Sequence, residues 1–501
     1  MTETNAPTQT MASPGHEAAA AGGTSWQDSL AGVRHWLALP IILAGTFMVT
    51  LDFFIVNVAI PLIQRELHTS VASIQFVVAG YGLAYAAGLI TAGRLGDRYG
   101  RRQVFALGLA LFTLASVGCG LAPTATALVV ARVAQGIAAA LLSPQVLAML
   151  GLLYTGADRA RAFTMYGLTL GLAAIGGQLI GGLLIQADVA GLGWRACFLI
   201  NVPIGAAALL LTPGLLPAAR AEGRGRLDLA GAALVTLGMV ALVLPLIEGR
   251  ELGWPLWTWL CLAATAPLLL AFGGYQRRLA ARGRAPLIDP ALFGDRAFTV
   301  GLLTVLVFYA GVASFFLALA LYLQQGLGLH ALTSGVVFTA AGIGFVTTSM
   351  LGRWLTRRLG RQALAAGALG MAVGLVLLRV TVARVGVLGP SALLAPALLV
   401  DGAGMGLVMA PLIAAVLAGL APRHAGAAAG VLTAAQQAGN AVGVALIGLI
   451  FYGVLGHPGR PDAYPQAFGA SLLYLIVLAL AVAALTQLLP RDRGDGAGPT
   501  R

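Results

Sequence analysis

Gly93-Arg94-Leu95-Gly96-Asp97-Arg98-Tyr99-Gly100-Arg101-Arg102 is a short, glycine-broken, arginine-rich turn between two apolar runs, each long enough to cross a bilayer. A degenerate second copy stands downstream as Gly352-Arg353-Trp354-Leu355-Thr356-Arg357-Arg358-Leu359-Gly360-Arg361. Gly100 and Arg101 align with Gly360 and Arg361, and Arg98 with Arg358, whereas Asp97 faces Arg357. Each loop joins the second apolar run of its half to the third. That arrangement predicts a duplicated all-α membrane bundle in which the first copy kept its acid and the second lost it.

Composition supports the same class. Of 501 residues 59% are hydrophobic and only 10% are charged, with a mean hydropathy of +0.89. So few charges cannot keep the surface of a soluble domain wet, so the apolar face must meet lipid. A net charge of +12 would point to nucleic acid in a soluble protein. Here the basic residues fall in loops between hydrophobic runs, which is a membrane pattern instead. All 30 of them are arginine. Without a lysine the chain has no Walker P-loop lysine and no Schiff-base lysine, so any transport energy comes from elsewhere than ATP bound here. Cys119, Cys197 and Cys261 lie in or beside apolar runs without metal spacing, and the six histidines form no paired motif. Neither a metal site nor a cofactor is expected.

Residues 1–33 are rich in Ala, Gly, Ser and Thr and read as a disordered cytoplasmic tail without a cleavable signal peptide. An N-terminal six-helix bundle follows over 34–216, with spans opening near Trp36, Val71, Gln103, Thr126, Ala162 and Ala196. Two inserted spans and a linker occupy 217–290. A C-terminal six-helix bundle fills 291–490, with spans near Phe298, Leu332, Gln362, Ser391, Gly426 and Phe468, and 491–501 form a second tail. About fourteen crossings put both termini on one side. The arginines choose that side: the clusters at 94–102, 220–226, 277–296 and 353–361 all fall on it, leaving Arg65, Arg195, Arg250, Arg379, Arg384 and Arg460 opposite. By the positive-inside rule the termini are cytoplasmic.

Arg132 is the exception, because it lies inside the fourth span, in Arg132-Val133-Ala134-Gln135-Gly136. A charge at that depth costs about 2.5–3.5 kcal/mol on the gentlest scale, so it faces a cavity or a counter-charge. The first span offers Asp52, in Leu51-Asp52-Phe53-Phe54-Ile55-Val56-Asn57. Counted from the outer ends, the two differ in depth by only about 5 Å at 1.5 Å per residue. Gln178 in the fifth span reaches a similar depth, so Asp52, Arg132, Gln135 and Gln178 are expected to share one polar layer. A structural ion pair locking helices together is the plainer alternative. In the second half Asp401 stands near mid-membrane, followed by the close-packing run Gly402-Ala403-Gly404-Met405-Gly406, and Gln436, Gln437 and Asn440 add polar groups in the next span. Tyr309, Phe315, Phe316 and Tyr322 enrich the ninth span in aromatics.

The chain resembles the major facilitator superfamily, specifically its fourteen-span drug:proton antiporters of the EmrB/QacA type. The resemblance runs from about Trp36 to Pro490. It rests on the 51–61 stretch, the 93–102 loop, the Arg132–Gly136 stretch, the run Trp194-Arg195-Ala196-Cys197-Phe198-Leu199-Ile200-Asn201-Val202-Pro203-Ile204-Gly205, and Leu227-Asp228-Leu229-Ala230-Gly231. It implies a transporter, not an enzyme, in which two six-helix bundles rock around a central cavity and exchange protons for outgoing substrate. On that reading Asp52 and Arg132 couple protons. Gly93, Asp97, Arg98, Gly100 and Arg101 form the loop controlling the switch between access states, and Gly177, Gly181 and Gly182 carry the antiporter signature. The proline expected after the first of those glycines is replaced by Gln178.

The expected substrate is a lipophilic or amphipathic small molecule, with Asn57, Gln135, Gln178, Tyr309, Phe316, Asp401, Gln437 and Asn440 as candidate cavity residues. Asp52 is the principal coupling acid and Asp401 a second acid that recognises substrate. A dedicated exporter of a metabolite, siderophore or lipid-like compound fits the same fold, and a non-transporting sensor or scaffold is a more remote reading. Expected partners are protons, the small-molecule substrate and the lipid of a bacterial cytoplasmic membrane, with no nucleic acid. Some members of the family join a periplasmic adaptor protein, which leaves that partner open, and a monomer is the expected state.

Overall fold

A computed structural model describes residues 17–217, 228–284, 286–386, 389–418, 422–456 and 463–489. Among them there is no strand, and fourteen helical segments are long and apolar enough to cross a membrane. The first half holds α1 (Glu17–Glu66), α2 (Val71–Tyr99), α3 (Arg101–Gly120), α4 (Ala125–Leu153) and α5 (Gly156–Ala187). Its sixth crossing is broken into α6 (Ala196–Leu199) and α7 (Asn201–Leu215). Two inserted helices follow, α8 (Leu229–Glu248) and α9 (Leu256–Ala281). The second half comprises α10 (Arg296–Leu321), α11 (Ala331–Leu359), α12 (Gln362–Val385), α13 (Ala395–Ala418), α14 (Pro422–Leu455) and α15 (Ala463–Leu488).

Local chemistry sets the helix ends. Ser70 and Thr124 cap α2 and α4 by accepting from the backbone N–H three residues on, and Asp228 and Asp295 do the same for α8 and α10. Two boundaries show the largest differences from the expectation. The fifth span opens at Gly156 and not near Ala162, because Thr155, Asp158 and the two following arginines make a polar first turn beyond the apolar run. Helix α1 starts at Glu17, inside the segment expected to be a disordered tail. Its Glu17-Ala-Ala-Ala-Ala opening is strongly helix-forming. The expected tail residues 1–16 and 491–501, and 218–227 of the linker, lie outside the described residues.

The two halves meet through their second and fifth helices: α2 packs on α14, and α5 on α11. This exchange is what a pseudo-twofold axis between duplicated halves requires. Glycines bring the backbones together. A Cβ on Gly335 would lie 2.6 Å from the Gln178 carbonyl oxygen, and one on Gly182 2.6 Å from that of Ala331. Further toward the side of the 67–70 turn, the expected outer side, Gln325 Nε2 donates to Gln64 Oε1 at 3.1 Å. The outer halves of the bundles are therefore packed together.

The inserted pair lies over the α2–α14 seam through α8. Outside, Glu251 accepts the free N–H of Ala72 at the start of α2 at 2.7 Å. Inside, Asp228 accepts from Gln276 Nε2 at 2.8 Å, and Gln276 Oε1 accepts the Leu287 N–H at 2.6 Å. Arg94 reaches the Pro286 carbonyl from the 93–102 loop.

Candidate functional site

Asp52 and Arg132 are brought together as their depths predict. Arg132 Nη1 donates to Asp52 Oδ2, and both side chains are fully buried. The rest of the first bundle organises this pair. Gln135, one turn along α4, accepts from Arg132 at 2.7 Å and donates to Asp52 Oδ1 at 2.8 Å. Arg132 Nε donates to the Val77 carbonyl at 2.8 Å, and the guanidinium lies 4.2 Å from the centroid of the Tyr81 ring. A buried charge is tolerable only when its donors and acceptors are met, and this shell meets most of them.

Asn201 completes the carboxylate's partners, donating from Nδ2 to Asp52 Oδ1 at 3.0 Å. Ser116 also joins, accepting from Gln135 at 2.8 Å. Sequence reasoning did not place either residue in the site. Asn201 was nonetheless visible as a polar side chain within an apolar run, at the point where the sixth crossing is broken between α6 and α7.

Gln178 does not join this layer. Its Nε2 donates to the Phe54 carbonyl at 3.0 Å, and Asn57 Nδ2 donates to the same oxygen at 3.1 Å. Asp52 and Phe54 are two residues apart, about 200° around a helix at 100° per residue. Asp52 faces into the first bundle and Phe54 faces the gap between bundles. That gap is a pocket walled by α1, α5, α10, α11 and α13. Of the eight residues expected to line it, Gln178 and Phe316 do; the wall also includes Phe54, Phe338, Phe345, Met405 and Met409, which the sequence did not single out. Phe316 stacks on Phe338 with centroids 5.6 Å apart and planes 3° apart.

The remaining expected cavity residues sit elsewhere. Gln135 belongs to the Asp52 shell and Asn57 to the wall of α1 behind Phe54. Tyr309 accepts from Gln436 Nε2 at 3.1 Å across the α10–α14 contact, and Asn440 donates to Gln437 at 3.2 Å. Asp401 lies inside the second bundle, in a separate pocket with Phe308, Phe315, Met371 and Leu475. Its neighbour Gly402 faces the central cavity. Helix rotation turns the acid away.

In the 93–102 loop Asp97 and Arg101 form an ion pair of 3.1 Å across Gly100, whose φ of +94° breaks the helix. Arg98 lies exposed over the Tyr99 ring, 5.3 Å from its centroid. The loop is held from behind by Gln145, whose Nε2 donates to the Ala92 carbonyl at 2.9 Å, and Gly93 and Gly96 give α4 room to approach. Arg102 donates to the Leu216 carbonyl at the end of α7 at 3.1 Å. In the second half Gln362, which aligns with Arg102, donates to Gln487 Oε1 at the end of α15 at 3.1 Å. The duplication read in the loops is thus repeated in their contacts. Gly177 and Gly181 fit against α1, where a Cβ would lie 3.1 Å from Phe54 Cβ and 2.7 Å from Ile55 Cγ1 respectively.

The sequence matches the family model for the Major Facilitator Superfamily over residues 42–444 and 301–500. The chain belongs to the Major Facilitator Superfamily. As a superfamily member with fourteen apolar helices it is a multi-pass membrane transporter and not an enzyme. It is 39% identical to the "Probable actinorhodin transporter" of Streptomyces coelicolor over 88% of this chain and 76% of that protein. It is 36% identical to the "Puromycin resistance protein pur8" of Streptomyces alboniger over 93% of each. Identity to the "Multidrug resistance protein Stp" of Mycobacterium tuberculosis is 32% over 81% of this chain and 74% of that one. Among solved structures, the Escherichia coli xylose transporter XylE superposes with a TM-score of 0.64 at 14% identity, covering 92% of this chain and 99% of XylE. A peptide transporter, POT, gives 0.65 at 16%, covering 90% and 96%. At such identities these two superpositions establish the superfamily fold.

Proposed function

We propose that this protein exports bulky apolar or amphipathic small molecules from the bacterial cytoplasm in exchange for protons, by rocking its two bundles around the central cavity. The observation that carries the reading is the fully buried Asp52–Arg132 pair. A bundle does not need two opposed charges at one depth merely to fold, since apolar residues of similar volume serve at least as well. A carboxyl group that can take up a proton, beside an arginine that keeps its charge, gives the first bundle two electrostatic states. When Asp52 is protonated Arg132 loses its counter-charge, so the contacts of α1 with α4 and α7 change with proton binding. Helix α1 carries both Asp52 and the cavity residue Phe54, which links proton state to the cavity wall.

The apolar, aromatic cavity and relatives named for antibiotic export and resistance support the substrate side of this reading. The arginine-rich loops support an orientation with both termini in the cytoplasm, and the bacterial relatives support a bacterial inner membrane. A single chain suffices to build the cavity, and we assign no role to an adaptor protein. The test is a dye-efflux panel in proteoliposomes holding the purified protein, with and without an imposed pH gradient. Efflux that persists unchanged after the gradient is collapsed rules out proton coupling. A panel in which one compound alone is moved favours the dedicated exporter, a reading to which the relative named for actinorhodin transport gives weight.

A further inference from the structure

The central cavity has one polar wall residue with unused bonding capacity. Gln178 is fully buried, its Nε2 is committed to the Phe54 carbonyl, and its Oε1 has no hydrogen-bond partner among the described residues. The amide orientation follows from the chemistry: the Phe54 carbonyl can only accept, so the nitrogen must face it and the oxygen is left over. A buried acceptor without a donor is costly and selects for a ligand that supplies one. Around it the wall is apolar, with the stacked Phe316–Phe338 pair, Phe54 edge-on to Phe316 at 4.7 Å, and Met405 and Met409.

No carboxylate serves this wall. Asp52 is held by Arg132, Gln135 and Asn201 inside the first bundle. Asp401 opens into the separate pocket of the second bundle. A cation entering the cavity would lose its hydration without gaining a counter-charge. Flat aromatic rings, by contrast, match both the stacked phenyl groups and the thioethers of Met405 and Met409.

We propose that the cavity binds neutral, planar aromatic molecules that carry a hydrogen-bond donor, and that Gln178 Oε1 reads that donor. This deepens the transport reading by naming the class of cargo, and it makes Gln178 a specificity residue at a position where the antiporter signature otherwise places proline. The hydrogen bond is made in a dry site, so its loss should be felt as about tenfold in affinity.

The test is equilibrium dialysis of the full chain in nanodiscs, without any proton gradient, using 9-phenanthrol and its ether 9-methoxyphenanthrene, with empty nanodiscs subtracted. Wild type is expected to bind the phenol about tenfold more tightly than the ether. Gln178→Met keeps the side-chain length, removes the acceptor and is expected to erase the difference while retaining the ether. Phe338→Leu is expected to weaken both ligands alike. The proposal is overturned if Gln178→Met preserves the preference, if neither phenanthrene binds, or if N-methylphenanthridinium, a planar cation of similar size, displaces the phenol more strongly than the ether does. Because binding is read without a gradient, failure of proton-coupled efflux leaves this result standing. Conversely, efflux of other dyes would survive its failure.

Discussion

Arg132 in the fourth crossing donates directly to Asp52 in the first, across 80 residues of chain, and neither side chain is open to solvent. Removing one member of such a pair leaves the other charge buried, which destabilises by about 3–5 kcal/mol. Asp52→Asn is therefore expected to lower the melting temperature of the detergent-solubilised protein and to abolish gradient-driven efflux in proteoliposomes. The double substitution Asp52→Asn with Arg132→Gln removes both charges, and it should recover much of the stability but none of the coupling. Efflux at the wild-type rate in Asp52→Asn would exclude it as the coupling acid.

Asn201 separates positioning from mere packing. Its donation to Asp52 Oδ1 at 3.0 Å is one of the bonds that orient the carboxylate. Asn201→Leu fills the space, removes the donor and is expected to cost about 1–3 kcal/mol in stability. It should also displace the pH profile of efflux, which a purely structural residue would leave in place.

The sequence made one coordinate of each site residue readable and hid the other. Counting residues from a span's end gives depth, and depth alone paired Asp52 with Arg132 correctly. Depth also placed Gln178 in their layer and Asp401 in the central cavity, and there the rotation of the helix decides. Gln178 is turned toward Phe54, and Gly402 faces the cavity where Asp401 does not. Rotation is set by which helices pack together, such as α5 against α11 through Gly335, and these contacts join residues far apart in the chain. The fourteen crossings, by contrast, were legible because bilayer thickness imposes a length on every apolar run. Asn201 was missed because an asparagine in an apolar run has no partner visible at the level of sequence.

Asp97 and Arg101 are both partly exposed, and a surface i,i+4 pair is worth only about 0.3–0.5 kcal/mol. Asp97→Asn is thus expected to leave insertion and melting temperature unchanged while slowing efflux, since its acid is what the downstream loop lacks at Arg357. Gly96→Ala puts a Cβ 2.7 Å from Gln145 Cδ, so it is expected to displace that amide from its bond to the Ala92 carbonyl and to slow efflux as well. Full efflux by Asp97→Asn would reduce the loop to a cytoplasmic anchor.

Gly335 tests the seal between the halves. A side chain there collides with the Gln178 carbonyl on α5, so Gly335→Leu is expected to part the outer halves without unfolding either bundle. In a background lacking Cys119, Cys197 and Cys261, a cysteine at Gln325 should then react faster with a membrane-impermeant maleimide added outside. An unchanged rate would mean that the α5–α11 contact does not close the outer side.

Asp401 is 1% exposed and neither carboxyl oxygen has a hydrogen-bond partner among the described residues. An acid kept in an apolar pocket with Met371, Met405 and Leu475 costs stability, so its retention points to a use. Asp401→Leu removes the unmet polar group at similar volume and is expected to stabilise the protein by about 1–3 kcal/mol, read as a higher melting temperature. Its distance from the cavity wall sets a second expectation: cationic and neutral dyes should bind as before, with any loss confined to gradient-driven efflux. A selective loss of cationic dyes would instead make Asp401 a substrate acid. A lower melting temperature would mean that the carboxyl group holds α12 and α13 together, and that its presence is structural.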